Sequence, residues 1–415
     1  MISFNPIRGM HDTLPDALKQ QHAVLNTIID VLSQFGCDPI QLPLLETTAL
    51  FKRSVGITSD IVQKEMYTFE DQGEESLSLR PEGTAGCYRA YLNHFQRAAP
   101  FQKLWYYGPM YRRERPQKGR QREFYQLGVE FFGYASIKAD VELLLLIHSI
   151  FKALKLDNHM VCRLNYLPSS EDRSKYTDAL KKYFAPMVDQ FDDVHRLRFE
   201  QNPLRLLDSK DQKVIAMLKN APLLSSFLSE QEHENRQWAI DQLTKIGIPI
   251  VIDEHMVRGL DYYSGIIFEW QANEGLGAQN TVCAGGRTDA LGELLGGKTC
   301  HSLGMAIGIE RLMIMLNEIN SIQTERSDVF LCADSESAAN EIIHVQQRLH
   351  QLGYKTFLHH GISQVKKQIN RAEKMGFKYL LLIQEDRYVC YDLESKQQTP
   401  IEDLTTLKGV ITHAS

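Results

Sequence analysis

No apolar run in these 415 residues approaches the ~20 consecutive positions that a membrane-crossing helix needs. The amino terminus, MISFNPIRGMHD, has no basic segment followed by an apolar core, so no secretory signal is expected. The seven cysteines are scattered and odd in number, and none stands in C-x-x-C spacing. That points to a reducing cytoplasm and away from a structural zinc site. Internal repeats and low-complexity tracts are missing too. A net charge of −6 excludes a uniformly basic coat for nucleic acid, but not a local basic patch, because phosphate recognition depends on the patch and not on the sum. What is left is the composition of an ordinary soluble globular protein, 43% hydrophobic and 24% charged. Its length suggests roughly two to three domains.

Against that background, residues 104–133 stand out. Two aromatic-rich, strand-like segments flank a loop carrying Arg112, Arg113, Arg115, Lys118, Arg120 and Arg122 against Glu114 alone. Aromatic and β-branched residues favour half-buried strands, and Pro116 and Gly119 mark a turn. The expectation is an antiparallel hairpin whose tip holds anions, since several guanidinium forks on one loop suit a polyphosphate. Taken alone, the loop would read equally well as a solvated basic turn.

Elsewhere, Ala17, Leu18, Val24, Leu25, Ile28, Val31, Leu32 and Phe35 recur at helical spacing, behind a start signal running from Asp12 to Pro15. A short strand is expected at 39–43 and a hairpin at 66–70 and 76–80. Arg80-Pro-Glu-Gly-Thr84 leads into a helix to about Phe95, and Glu82 at that corner either caps the helix or binds a ligand amine. An apolar helix covers 140–156. From about 167 to 247 the chain is helical, polar and strand-poor, punctuated by Pro168, Pro186, Pro203 and Pro222, the texture of an inserted helical domain. Strands return over 249–270, where Arg258, Asp261, Tyr262 and Tyr263 crowd about Gly259; locally, a strand-end salt bridge with core tyrosines accounts for them as well. Gly285-Gly286-Arg287 allows close backbone approach to a planar or anionic ligand, although it matches neither G-x-G-x-x-G nor a Walker loop. Over 302–317 a strand passes into an apolar helix with Glu310 and Arg311 at the junction, so Arg311 should meet an anion or an acid. Residues 319–327 read as a linker. Beyond it, strands and helices alternate as in a small α/β domain, so the chain as a whole is of the α/β class.

Five motifs together resemble the histidyl-tRNA synthetases, a family of class II aminoacyl-tRNA synthetases. They are Leu79-Arg80-Pro81-Glu82-Gly83-Thr84-Ala85-Gly86, Tyr107-Gly108-Pro109-Met110-Tyr111-Arg112-Arg113-Glu114-Arg115-Pro116, Val257-Arg258-Gly259-Leu260-Asp261-Tyr262-Tyr263, Ala284-Gly285-Gly286-Arg287 and Gly308-Ile309-Glu310-Arg311. The likeness runs from Arg8-Gly9-Met10 into the C-terminal domain. Its 258–263 stretch separates the histidine enzymes from other class II synthetases. The resemblance implies an α+β catalytic domain over 1–318, with a mainly antiparallel sheet, flanking helices and a helical insertion at about 167–247. It also implies a linker at 319–327, an anticodon-binding α/β domain over 328–415, a homodimer built through the N-terminal region, and a cytoplasmic location.

On matching motifs, the resemblance implies that Glu82, Gly83 and Thr84 hold the α-amino group of L-histidine. Gln126 and Glu130 complete the amino-acid pocket, with Glu130 accepting the imidazole N–H and Tyr262 and Tyr263 closing around the ring. Arg112 and Arg258 are the implied catalytic residues, facing the α-phosphate of ATP and the histidine carboxylate. Glu114, Arg120 and Arg311 join Arg112 at the nucleotide, and Mg²⁺ is expected with the phosphates through ligands the sequence does not name. Arg113, Arg115, Lys118 and Arg122 are candidates for acceptor-stem contact with tRNA(His). Two departures stand out. Thr288-Asp289-Ala290 follows Gly286-Arg287 where the family usually has Tyr-Asp-Gly, which puts affinity or loop order near the pocket in question. Asn165-Tyr-Leu-Pro168 replaces a serine- and glycine-containing turn. The rival within the resemblance is the non-catalytic, histidine-binding regulatory subunit of ATP phosphoribosyltransferase. Such paralogues generally lack the anticodon-binding domain and erode the Arg258 stretch, and this chain keeps both.

Overall fold

Helix α1 (Pro15–Gln34) forms where apolar residues recur every three or four positions, and it buries Val24, Ile28, Val31 and Leu32. Its start is set by Pro15 at the first helical position behind Leu14, and no side chain caps it. The computed structural model describes every residue except 1–3, 57–58, 210, 258–261, 278–279, 320–328, 386 and 412–415. These residues form two compact units, Met1–Ile322 and Gln323–Ser415. The stretch read as a linker therefore lies outside the described residues apart from Ile319.

In the first unit, β1 (Asp38–Pro39) is shorter than the strand expected at 39–43. Proline has no N–H to give a ladder, and two of them bound that segment. β2 (Leu45–Thr47), α2 (Thr48–Val55), β3 (Thr68–Glu70) and β4 (Ser76–Leu79) follow, and the three strands make a small antiparallel sheet in the order β2-β4-β3. Then come α3 (Thr84–His94), β5 (Gln102–Tyr111), β6 (Glu123–Phe132), α4 (Ile137–Ala153) and β7 (Met160–Leu167). The inserted segment contributes α5 (Ser170–Phe184), α6 (Asp193–Gln201), α7 (Gln212–Leu218) and α8 (Glu230–Lys245) before the chain re-enters the sheet as β8 (Ile250–Ile252). β9 (Ser264–Ala272), β10 (Thr281–Arg287), α9 (Leu291–Leu294), β11 (Ser302–Gly308) and α10 (Ile309–Glu318) complete the unit.

Its central sheet has eight strands in the order β1-β5-β6-β11-β10-β9-β7-β8. Only the edge pairs β1/β5 and β7/β8 are parallel. The mainly antiparallel sheet with flanking helices is thus present as the sequence implies. β5 and β6 pair without a break from Gln102↔Phe132 to Tyr111↔Glu123. Along β5 the buried residues alternate, as on a strand with one covered face, whereas β6 is buried continuously from Leu127 to Phe132 because it lies between β5 and β11. Arg80, the arginine of the Arg80-Pro-Glu-Gly-Thr84 corner, belongs to this scaffold. Its Nε donates to the carbonyl of Pro109 at 2.8 Å and its Nη1 to that of Leu42 at 3.1 Å.

The second unit holds β12 (Val329–Ala333), α11 (Glu336–Gln351), β13 (Thr356–Leu358), α12 (Val365–Lys374), β14 (Tyr379–Ile383), β15 (Tyr388–Asp392) and β16 (Gln398–Ile401), in the sheet order β13-β12-β14-β15-β16. β12 and β14 are parallel and wholly buried, the continuous apolar runs of a sheet covered on both faces. β16 escapes sequence reading because Gln-Thr-Pro-Ile resembles a turn. Its proline is tolerated on an edge strand.

Arg287 closes β10 by gripping the start of α4. Its guanidinium bonds both carboxylate oxygens of buried Asp140 and the carbonyls of Tyr134 at 2.9 Å and Ser136 at 3.3 Å. Burial pushes the Asp140 carboxyl up to about 6 in spite of that partner. Arg287→Ala should therefore cost about 3–5 kcal/mol in urea unfolding, because it leaves a buried charge uncompensated. Arg287 holds the Asp140 pKa down, so the variant's carboxyl protonates at higher pH than the parent's; this deficit should therefore shrink as pH falls toward about 6 and level off below it.

Candidate active site

Three neighbouring strands, β6, β11 and β10, present small or polar residues to one face of the sheet, and a cavity of about 550 Å³ opens there. Its lining includes Glu82, Thr84, Gln126, Glu130, Tyr262 and Tyr263, together with Arg112, Glu114, Arg120, Glu310 and Arg311. Segments more than 200 residues apart in sequence thus meet at one opening. Gly83 is the N-cap of α3 beside it. Arg258, with Gly259, Leu260 and Asp261, lies outside the described residues.

At the corner before α3, the Glu82 carboxylate accepts the backbone N–H of Thr84 at 2.6 Å and of Ala85 at 3.0 Å. It caps the helix and lines the cavity at once, so capping does not take it out of reach of a ligand. Burial raises its pKa, while those two N–H groups and Arg112 act the other way. Glu130 lies opposite on β6, 1% exposed, accepting from the Tyr106 hydroxyl at 3.3 Å. Burial pushes it up to about 8, the Thr84 hydroxyl opposes the shift, and Glu82 adds to it. Glycine makes room for this arrangement: a Cβ on Gly304 would collide with the Glu130 carboxylate, and one on Gly83 or Gly128 with the Tyr106 ring. Gln126, four residues back on the same face of β6, has an Oε1 that is buried without a hydrogen-bond partner among the described residues. Tyr262 and Tyr263 pack ring to ring at 4.7 Å and are both buried.

The second cluster is cationic. Arg112 donates from Nε to the Pro81 carbonyl at 2.8 Å and lies 5.2 Å over the Phe124 ring. Arg120 pairs with Glu114 at 2.5 Å. Arg311 reaches backbone in addition to its acidic surroundings, donating to the carbonyls of Gly119 at 3.0 Å and Thr281 at 2.6 Å. Burial lowers its pKa, as does the nearby charge of Arg120, while Glu114 and Glu269 raise it. Glu310 accepts the Tyr125 N–H at 2.8 Å, and burial pushes it up to about 7.

The remaining basic residues of the hairpin loop sit outside the lining. Arg113, Arg115 and Lys118 are exposed. Lys118 spans to the Gly275 carbonyl at 2.9 Å and to Glu318 at 3.2 Å. Arg122 turns inward, its Nε on the Glu114 carbonyl at 3.2 Å. The glycines after β10 begins also differ from their sequence reading: a Cβ on Gly285 would meet the Gly304 carbonyl and Phe268, so the close approach there is strand to strand. Thr288 is buried at the cavity wall, its hydroxyl 2.9 Å from that of Ser302, which in turn lies 3.2 Å from the Tyr88 hydroxyl. Several lining residues went unread, Glu269, Gln271 and Asp208 among them. Glu269 and Gln271 are polar at alternate positions of the otherwise apolar β9, a period-two signal that was there to find. Asp208 comes from the inserted segment and has no local signal. Among the described residues, no group of three or more His, Cys, Asp or Glu converges to hold a metal ion.

The geometry suits a small zwitterion with a hydrogen-bonding side chain held beside a polyphosphate. Because Glu130 is more protonated folded than unfolded between about 4.5 and about 8, it makes the protein lose stability as pH rises through that window. Glu130→Gln removes this titration. Thermal unfolding should show the variant gaining on the parent from pH 5 to pH 8, and a pH-independent difference would contradict the assigned burial.

The family model for histidyl-tRNA synthetase matches residues 9–312. Among solved structures, the apo histidyl-tRNA synthetase of S. aureus has a TM-score of 0.80 at 28% identity, over 99% of this chain and 100% of that one. A histidyl-tRNA synthetase from a Nostoc species gives 0.71 at 21% identity, over 99% and 100%. A Bacillus halodurans protein described as an ATP phosphoribosyltransferase regulatory subunit/histidyl-tRNA synthetase gives 0.67 at 21%, over 92% and 99%. The last two show a shared fold. A match over most of the chain, spanning the segments that meet at this cavity, makes the protein a member of the histidyl-tRNA synthetase family.

Proposed function

We propose that this chain activates L-histidine with ATP to histidyl-adenylate and pyrophosphate, then transfers the histidyl group to the 3′ end of tRNA(His). The observation that carries the reading is one cavity combining a buried carboxyl–amide–tyrosine pocket with three arginines. In this reading Glu82 and Thr84 take the α-ammonium group. A carboxylate oxygen has lone pairs to spare after accepting one N–H, so capping α3 does not bar Glu82 from that role. The orphaned Gln126 Oε1 and Glu130 meet the imidazole, Tyr262 and Tyr263 cover the ring, and an analogue without ring nitrogens would leave buried acceptors unpaired.

The histidine carboxylate attacks the α-phosphorus in line. A C–O–P bond forms, the bond to the bridging oxygen breaks, and pyrophosphate leaves with the electron pair. Arg112 neutralises charge on the α-phosphoryl oxygens, joined by Arg258 on the strength of its motif, while Arg120 and Arg311 serve the β- and γ-phosphates. The carboxylate is already ionised, so no general base is required and positioning with electrostatics does the work. Mg²⁺ comes with the phosphates and needs only one or two protein carboxylates. Glu310 and Glu269 are suitable oxygen donors, and a cation would relieve the burial that raises Glu310. It supplies charge neutralisation at the phosphates. In the second step Arg113, Arg115, Lys118 and Arg122 contact the acceptor stem, and the second unit reads the anticodon. Exposed Phe4, Ile7 and Leu14 support burial of the N-terminal region in a homodimer. Seven free, buried cysteines suit the cytoplasm.

A regulatory, histidine-binding subunit is the second reading. The Bacillus halodurans likeness extends over nearly the whole chain, so possession of the second unit does not by itself separate the two. Catalysis does. ATP–pyrophosphate exchange should occur with histidine and with no other standard amino acid, and Arg258→Ala should abolish it while histidine binding persists in weakened form. Histidine binding with no exchange by the parent would favour the regulatory reading. Removal of 328–415 should reduce tRNA charging far more than exchange, and equal losses would argue against a separate anticodon module.

A further inference from the structure

We infer that Arg173, on the inserted helix α5, is a positioning residue for the histidine pocket: it fixes the backbone from which Tyr262 and Tyr263 project. This rests on the pocket assignment above. Arg173 stands at the start of α5, four residues beyond its Ser169 N-cap. Its Nη2 donates to the carbonyl of Tyr263 at 2.6 Å and to that of Pro168 at 3.4 Å. The first bond joins segments 90 residues apart and ends on a residue that lines the cavity.

The need for such a clamp follows from how β9 begins. Ser264 pairs with Arg287 across a register shift, and Gly265 has φ +56°, so the strand enters the sheet through an irregular step. The Tyr263 carbonyl precedes that strand and takes its short bond from the insertion. A guanidinium suits the task, since the two N–H groups of its planar Nη2 point in fixed directions where an ammonium is a point charge on a flexible stem. Asp208, from the same insertion, also lines the cavity. The inserted segment therefore reaches the cavity at Asp208 and, through Arg173, holds the tyrosine segment beside it. Loosening it should let the tyrosine pair drift from the imidazole while the arginines of the phosphate end stay in place.

Histidine binding by calorimetry and the separate KM values of the exchange reaction test this. Arg173→Ala should weaken histidine binding roughly tenfold, the scale of one charge-assisted hydrogen bond. The KM for histidine should rise with it and the KM for ATP should stay put, and Arg173→Lys should fall between. Tyr183→Phe serves as the control for general loosening, because it removes only the bond from the far end of α5 to the Met217 carbonyl at 2.7 Å. It should lower the Tm and leave histidine binding at the parent value. Parent-like binding by Arg173→Ala would overturn the inference, as would an equal loss in Tyr183→Phe. A parent that binds no histidine would bring down the pocket assignment itself, and this inference with it.

Discussion

Keeping two carboxyl groups dry in one wall is the constraint on which the cavity is built. Glu82 and Glu130 are both buried and both raised in pKa by that burial, and Glu82 adds to the shift of Glu130. Desolvated carboxylates persist only where other groups replace the lost water. Here the first turn of α3 gives Glu82 two N–H groups, and the helix N-terminus favours negative charge. Thr84 and Tyr106 provide hydroxyls for Glu130. That support dictates the glycines at 83, 128 and 304, which have no side chain because the Tyr106 ring and the Glu130 carboxylate occupy the space. Under the proposed function the same burial would give the pocket its selectivity, since an unmatched ligand would leave these groups without either water or a partner.

The two ends of the cavity have different mechanical support. Glu130 and Gln126 sit on β6, paired on both sides and continuous with the core. Arg120 sits on a loop closed by a tight turn at Gly119, φ +70°. That loop is pinned by bonds such as Lys118 to Gly275 and Glu318, on a side chain that is itself exposed. Exposed hydrogen bonds open at small cost. The carboxyl-lined end is therefore the rigid template and the arginine-bearing loop the part that adjusts; under the proposed function, that division suits recognition of a side chain while admitting a larger, charged nucleotide.

Much of this was legible in the sequence, for identifiable reasons. The β5–β6 hairpin, α1, α4 and the alternation after residue 328 declare themselves through long periodic patterns, and the helical insertion through its polar, strand-poor texture. What escaped was information that exists only in three dimensions. Arg80 and Arg112 look alike as arginines beside motif residues, yet the first holds Pro109 and Leu42 together while the second lines the cavity. Arg287, which the sequence shows only as the end of a glycine motif, grips Asp140. Asp208 and Arg173 lie in a segment whose polar residues read as solvated, and only the return of the chain from α8 to β8 brings that segment beside the pocket. Sequence pattern shows which side chains are polar; the topology decides which carbonyl or ligand they find.

The pairing of Arg120 with Glu114 carries the last step. At 2.5 Å the carboxylate neutralises the arginine, and Arg112 stands 3.9 Å from the same group. In the family reading a nucleotide's phosphates must therefore compete with Glu114 for its guanidinium partners. Phosphate oxygens win that competition because they bring more charge and more acceptors than one carboxylate. The displaced Glu114 would then sit near those phosphates, where repulsion costs energy unless a cation intervenes. In that reading the acidic residue in the middle of a basic loop serves in two ways: it keeps three guanidiniums from repelling one another before a nucleotide arrives, and it would make polyphosphate binding depend on an accompanying cation afterwards.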